Sequence, residues 1–278
     1  DNLTYMFQDR SVAPKSLFPV PLLWNLQITE QVEEDQNVES FLSHHTFVIM
    51  TKLDGSPLNM LRRSDPSFKH SAYLQIGKLV YDMHQIAISS SFGIIEGSCV
   101  AAPFSTNEEF VFEELRKALS AYRSYNGDPV ISERIESYFE AQKSFLRNCD
   151  CPHFCHNDIH EGNILVNDSR ITGLIDVETA LSGDPLQDLA KIFIFATKKD
   201  HVKEAAFLES YTVSKKLPKD AAQRVYLYEL LVAVQMWNFH ATSEHMRPET
   251  MDSVDRFIRE LLQGGTTALE SLLERFTS

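Results

Sequence analysis

Residues 154–179 read FCHNDIHEGNILVNDSRITGLIDVET, and the fold turns on this stretch. Two short apolar runs, 164–166 and 171–175, are bracketed by polar residues: His156 and Asp158 ahead of them, Asn163 at the start of the first, Asp176 at the end of the second. Apolar runs of this length between turn residues read as buried strands of a hairpin. Asp and Asn are common turn residues, and a lone His-x-Asp carries little. Here the spacing His-x-Asp-x-x-x-x-Asn, the run that follows and the aspartate closing the second run all agree. The residue types suit phosphoryl transfer. A carboxylate such as Asp158 can accept the proton of an attacking hydroxyl. Mg2+ takes hard oxygen ligands, and Asn163 and Asp176 offer an amide oxygen and a carboxylate. The spacing thus predicts a catalytic hairpin whose ends bring a base and two metal ligands together.

Outward from the hairpin the pattern is helical. Apolar residues recur at helical spacing over 70–86, 107–125 and 131–148, and again over 184–197, 220–245 and 252–276, with a break expected at Gly264-Gly265. The first fifty residues differ: strand-like runs at 22–29 and 45–52 flank the acidic tract EQVEEDQNVES, and LDGSP then reads as a turn. At 278 residues with 43% hydrophobic and 23% charged side chains, the chain has the composition of a globular protein with a sizeable core. No apolar run approaches the roughly 20 residues of a membrane span, and no secretory signal is visible, so no membrane partner and a cytoplasmic location are expected. A net charge of −13 argues against nucleic acid as a partner and suits a cationic small ligand. Three of four cysteines fall in CDCPHFCH, whose spacing matches no common zinc pattern.

HNDIHEGNILV…ITGLIDVETALSGDPLQDLAKI resembles the catalytic core of the aminoglycoside phosphotransferase and choline kinase-like family. FVIMTKLDGSPL is similar to that family's hinge between lobes, and IGKLVYDMHQI to its first large-lobe helix. The resemblance covers most of the chain from about residue 46. It implies an α+β, protein-kinase-like two-lobe fold, with residues 1–52 as a reduced β-rich N-lobe and hinge and 53–278 as a large, mainly helical C-lobe holding the catalytic β-hairpin. It implies a small-molecule kinase using ATP or GTP with Mg2+. Asp158 is then the catalytic base, His156 a brace of the catalytic loop, Asn163 and Asp176 the metal ligands, and Asp188 a support from the next helix. Backbone groups at Met50, Thr51, Lys52 and Leu53 meet the nucleotide base. Asn157 where protein kinases carry arginine, Asp176-Val177-Glu178 in place of Asp-Phe-Gly, and no Ala-Pro-Glu signature favour a small-molecule acceptor.

The chain departs from the family ahead of the hinge. No Gly-rich loop and no strand lysine for the α/β-phosphates occurs there. Three readings stay open: a missing segment, a second chain completing the N-lobe, or a kinase-like pseudoenzyme or binding module. For the acceptor, Glu178 is a pocket-rim candidate. Glu229 and Trp237 belong to an aromatic and acidic stripe that would suit a cation, although such a stripe at helical spacing is more often core.

Overall fold

The computed structural model describes residues 21–22, 49–50, 53–61, 65–96, 99–242 and 248–278. Ahead of residue 53 it describes one antiparallel pair, β1 (Pro21–Leu22) with β2 (Ile49–Met50). The rest of the two expected early strands lies outside the described residues.

The catalytic hairpin is β7 (Ile164–Asn167) and β8 (Arg170–Leu174), paired antiparallel with Asn167 opposite Arg170. Its two-residue loop puts Asp168 at φ 46° and Ser169 at φ 67°, the mirror-image turn whose twist matches paired strands. The register slips once, because Leu165 faces Gly173 while Val166 faces Ile171, and Thr172 is the extra residue. Its hydroxyl donates to the Asp54 carbonyl at 2.6 Å. β3 (Ser56–Pro57) pairs along β7, so this segment is stitched to the hairpin. A second sheet has the order β5-β4-β9-β6, built from β4 (Gly93–Glu96), β5 (Cys99–Val100), β6 (His153–Cys155) and β9 (Leu181–Gly183). β6 and β9 lead into and out of the polar stretch, so pairing Cys155 with Leu181 closes it into a loop with fixed ends.

Helices supply the mass. α1 (Pro66–Met83) starts at Asp65, whose carboxylate accepts the Ser67 N–H at 3.1 Å, with Pro at the first helical position. α2 (Asn107–Ser124) opens on a capping box between Thr106 and Glu109. α3 (Pro129–Leu146) follows, capped by Asp128. α4 (Leu186–Lys191) runs into a π-type turn at Ile192–Ala196, and α5 (His201–Tyr211) packs along α1. Gly77 permits that packing: a Cβ there would lie 2.3 Å from the Phe207 carbonyl oxygen. α6 (Ala221–Thr242) is buried on nearly every face of its first four turns and packs against α2, α3, α4, α7 (Pro248–Gly264) and α8 (Thr267–Leu273). A helix apolar all round is a core helix, and this one forms the axis of the lobe. The break expected at Gly264-Gly265 falls between α7 and α8, where Gly265 has φ 58°. The fold is therefore the expected one, a mainly helical lobe carrying a β-hairpin. No described helix is long and apolar enough to cross a membrane.

Candidate active site

Asp188 is the centre from which the site is built. It is fully buried on α4, and its two carboxylate oxygens accept backbone N–H groups from His156 at 2.9 Å and Asn157 at 2.7 Å. His84, at the end of α1, places Nε2 3.0 Å from the same carboxylate and Nδ1 2.8 Å from the Tyr211 hydroxyl on α5. Burial alone would raise the Asp188 carboxyl. The hydrogen bond and charge of His84, then His156 and the Asn157 N–H, outweigh it and hold the group below the usual carboxylate range.

His156 continues the brace. Its Nε2 sits 3.0 Å from the Ile175 carbonyl, so Nε2 carries the proton, and Nδ1 accepts the Asp158 N–H at 3.2 Å. That is the neutral imidazole. Burial lowers its pKa, against the pull of Asp188 and the Ile175 carbonyl. One buried ring thus joins the loop that carries Asp158 to the segment just after β8, which leads to Asp176.

Asp158 is half-buried. Its backbone carbonyl and its Oδ2 each accept a bond from Asn163 Nδ2 at 3.0 Å, and His160 Nε2 lies 3.6 Å from the same Oδ2. With both donors directed at Asp158, Asn163 has its amide oxygen left as a ligand atom. The Ile175 N–H donates to the Asn163 carbonyl at 2.9 Å, extending the β7–β8 ladder by one rung. Asp176 is therefore the next residue along from Asn163's partner. It is exposed, with φ 69°. Asn157 is also left-handed, at φ 65°. Asn and Asp tolerate this region better than other side chains, and such positions cluster at functional sites. One amide oxygen and one carboxylate at neighbouring hairpin ends fit Mg2+ by donor type. Beyond Asp158, Glu161 ties down the loop's far side. Its carboxylate accepts Lys203 Nζ at 2.7 Å and the Tyr73 hydroxyl at 3.0 Å.

A cavity of about 300 Å³ opens beside Asn157. Ile94, Phe110, Leu231 and Val232 form apolar walls, Glu114 and Glu178 contribute carboxylates, and Gln187 and Lys191 come from α4. Of the residues expected at the acceptor, Glu178 lines this cavity. Glu229 does not: its carboxylate is buried and accepts Lys199 Nζ at 2.7 Å. Trp237 does not either, and packs against Tyr122 with ring centroids 4.5 Å apart. Met50 sits in β2 and Leu53 just after it, while Thr51 and Lys52 lie outside the described residues. Sequence reading missed His84, Gln187 and Lys191. His84 carries no local signal, since a histidine ending an amphipathic helix is ordinarily core. Lys191 could have been found, because it falls three residues after Asp188 and so shares its helix face.

Solved structures share this fold. A crystal structure of a thermostable mutant of aminoglycoside phosphotransferase APH(4)-Ia, in ternary complex with AMP-PNP and hygromycin B, superposes with a TM-score of 0.62 at 16% identity. The match covers 79% of this chain and 72% of that one. The gentamicin–APH(2")-IIa complex gives 0.55 at 16% identity, over 95% and 79%. A putative fructosamine-3-kinase from Thermobifida fusca gives 0.54 at 22%, over 78% and 70%. No curated protein is similar enough in sequence to count as a relative. The model of the phosphotransferase enzyme family (APH) matches residues 10–225, most of the chain and the whole of the catalytic hairpin. With a match over that much of its length, the chain belongs to the phosphotransferase enzyme family.

Proposed function

We propose that the chain is a small-molecule kinase that moves the γ-phosphate of ATP or GTP to a hydroxyl of a small, amine-bearing acceptor, of which an aminoglycoside-like compound is one kind. The observation that carries this reading is the placement of Asp158. It stands on a loop pinned by Asp188 and His156, with its carboxylate held by Asn163, next to a cavity that has Glu178 and Glu114 among its lining residues. In the reaction the acceptor hydroxyl gives its proton to Asp158 as its oxygen bonds to the γ-phosphorus. The bond from that phosphorus to the bridging oxygen breaks, its electron pair stays on the β-phosphate, and the nucleoside diphosphate leaves. Mg2+, held by Asn163 and Asp176, would neutralise phosphate charge. Backbone groups at Met50, Thr51, Lys52 and Leu53 would meet the base. Residues 1–52 would act as the N-lobe and hinge, and 53–278 as the acceptor lobe.

The acceptor class rests on Glu178, which suits an ammonium group, and on walls that suit its carbon frame, while Glu114 in the same lining already accepts Lys117 Nζ at 2.9 Å. Calorimetry with Mg·ATP and Mg·GTP, on the chain and on Asp176→Ala, tests the nucleotide site. A panel of amino sugars assayed by nucleoside diphosphate release then tests the acceptor. Mg2+-dependent binding lost in Asp176→Ala, followed by release that depends on an added amino sugar, supports the reading. Binding with no release would make the chain a kinase-like binding module, and no binding at millimolar nucleotide would end the proposal.

A further inference from the structure

α4 presents two charged groups to a single residue of the catalytic loop. Asp188 Oδ1 accepts the Asn157 N–H at 2.7 Å, and Lys191 Nζ donates to the Asn157 carbonyl. The two side chains are three apart on the helix and share a face. Between them they clamp both backbone groups of one peptide residue, the one at φ 65° that immediately precedes Asp158. A five-residue π-type turn begins directly after Lys191, closed by the Thr197 N–H on the Ile192 carbonyl at 2.8 Å. Such turns are rare and frequently sit at functional sites. Lys191 also lines the 300 Å³ cavity together with Asn157, Glu178 and Gln187, and it feels the charge of Asp158.

A clamp on a carbonyl does not need a charge. An amide or a hydroxyl would serve, without the cost of drawing an ammonium out of water. Burial does lower the Lys191 pKa, and the carboxylates of Asp188 and Asp158 oppose the loss of its proton. An ammonium has three N–H donors, and Asn157 takes one. The other two have no partner among the described residues. Lys191 lines the cavity, and the residue that it clamps immediately precedes the proposed base. A phosphoryl group in flight carries negative charge on three oxygens and is stabilised by fixed cations in a site shielded from water.

Resting on the kinase reading above, we infer that Lys191 is a catalytic residue: clamped by the Asn157 carbonyl, it gives its remaining N–H donors to oxygens of the phosphoryl group as that group passes to the acceptor. Gln187, whose Nε2 is buried without a partner among the described residues and which lines the same cavity, is the natural second donor on that side.

The test does not need the acceptor. Mg·ADP and Mg·ADP with aluminium fluoride, which mimics the phosphoryl group in transfer, are titrated into the wild-type chain and Lys191→Met. The inference expects the aluminium fluoride complex to weaken tenfold or more in Lys191→Met while Mg·ADP changes less than threefold. Lys191→Arg should recover part of the loss. Equal weakening of both ligands would mean that Lys191 only holds the loop, and no weakening of either would mean that it does nothing there; each overturns the inference. If Lys191→Met loses its cooperative thermal transition, Lys191→Gln makes the same comparison, keeping a donor for Asn157 and removing the charge. A wild-type chain that binds no Mg·ADP would instead bring down the kinase reading, and the inference with it, on a separate measurement.

Discussion

The catalytic loop has two sides that obey opposite rules. Behind it, His84, His156 and Asp188 are sealed from water, and their hydrogen bonds run to one another, to Tyr211 or to backbone. In front, Asp158 is half-buried, while Asp176 and Glu178 are exposed. Buried polar groups must be satisfied, and once satisfied they hold one geometry. Exposed carboxylates are cheap to leave open and keep lone pairs for ligands. The rear fixes where the front points, and the front stays free to react. Mutations on the two sides should therefore fail in different ways.

The largest effect belongs to the rear. Asp188→Ala strands two backbone N–H groups and His84 in a dry site, and breaking a buried network of this kind costs about 3–5 kcal/mol. Urea unfolding should show that loss, and any phosphoryl transfer should vanish with it. A midpoint within about 1 kcal/mol of wild type would mean that the loop does not depend on this anchor.

Next comes the front. Asp158→Asn keeps the shape and removes the base, so transfer should drop by about 10²–10⁴-fold. Stability should hardly move, since the group is half-exposed. Steady-state rates and thermal unfolding on the same sample check both halves. A large loss of stability with modest loss of rate would erase the distinction between the two sides.

The rear should also betray itself in acid. The His156 pKa is lowered in the folded chain, so the unfolded chain binds the extra proton and stability rises with pH. Its contribution is present above the ordinary histidine value of about 6.5 and is lost as pH falls from there through the folded pKa. Asp188 is lowered too, so its contribution is lost only below the ordinary aspartate value of about 3.9. Urea midpoints should decline in two stages, and each unit of displacement is worth about 1.4 kcal/mol. His156→Gln should flatten the upper stage, although His153, also lowered by burial, leaves some slope. An unchanged upper stage in that variant would assign the acid lability elsewhere.

How much of this was readable beforehand follows the same division. Front groups such as Asp158, Asn163 and Asp176 are local: their spacing on one hairpin is a property of 19 consecutive positions, 158–176, and periodicity and turn chemistry expose it. The helices were readable for the same reason, although α1 begins at Pro66 rather than near residue 70, because Asp65 and Pro66 act as cap and first helical residue. The rear is non-local. His84 and Asp188 are 104 residues apart, and only the packed helices bring them together. The short strands β4, β5, β6 and β9 escaped for a related reason. Two to four residues are too few for a period, and β9 between β4 and β6 owes its conformation to its neighbours.

The smallest predicted effect separates two glutamates that looked alike in sequence. Glu178 is exposed and lines the cavity, whereas Glu229 is buried against Lys199 with its pKa raised by burial. If an amine-bearing acceptor sits in the cavity, Glu178→Gln should raise its KM about threefold to fivefold, since an exposed ion pair is worth up to about 1 kcal/mol. It should leave kcat for the bound acceptor nearly alone. Glu229→Gln should leave KM unchanged. It removes a carboxylate that burial already penalises and puts an amide of the same shape in its place, so stability at pH 7 should hold within about 1 kcal/mol. The reverse pattern, with KM responding at Glu229 and not at Glu178, would move the acceptor out of this cavity and toward the Lys199 side of α6. The proposed base would then have to reach its substrate from a different direction.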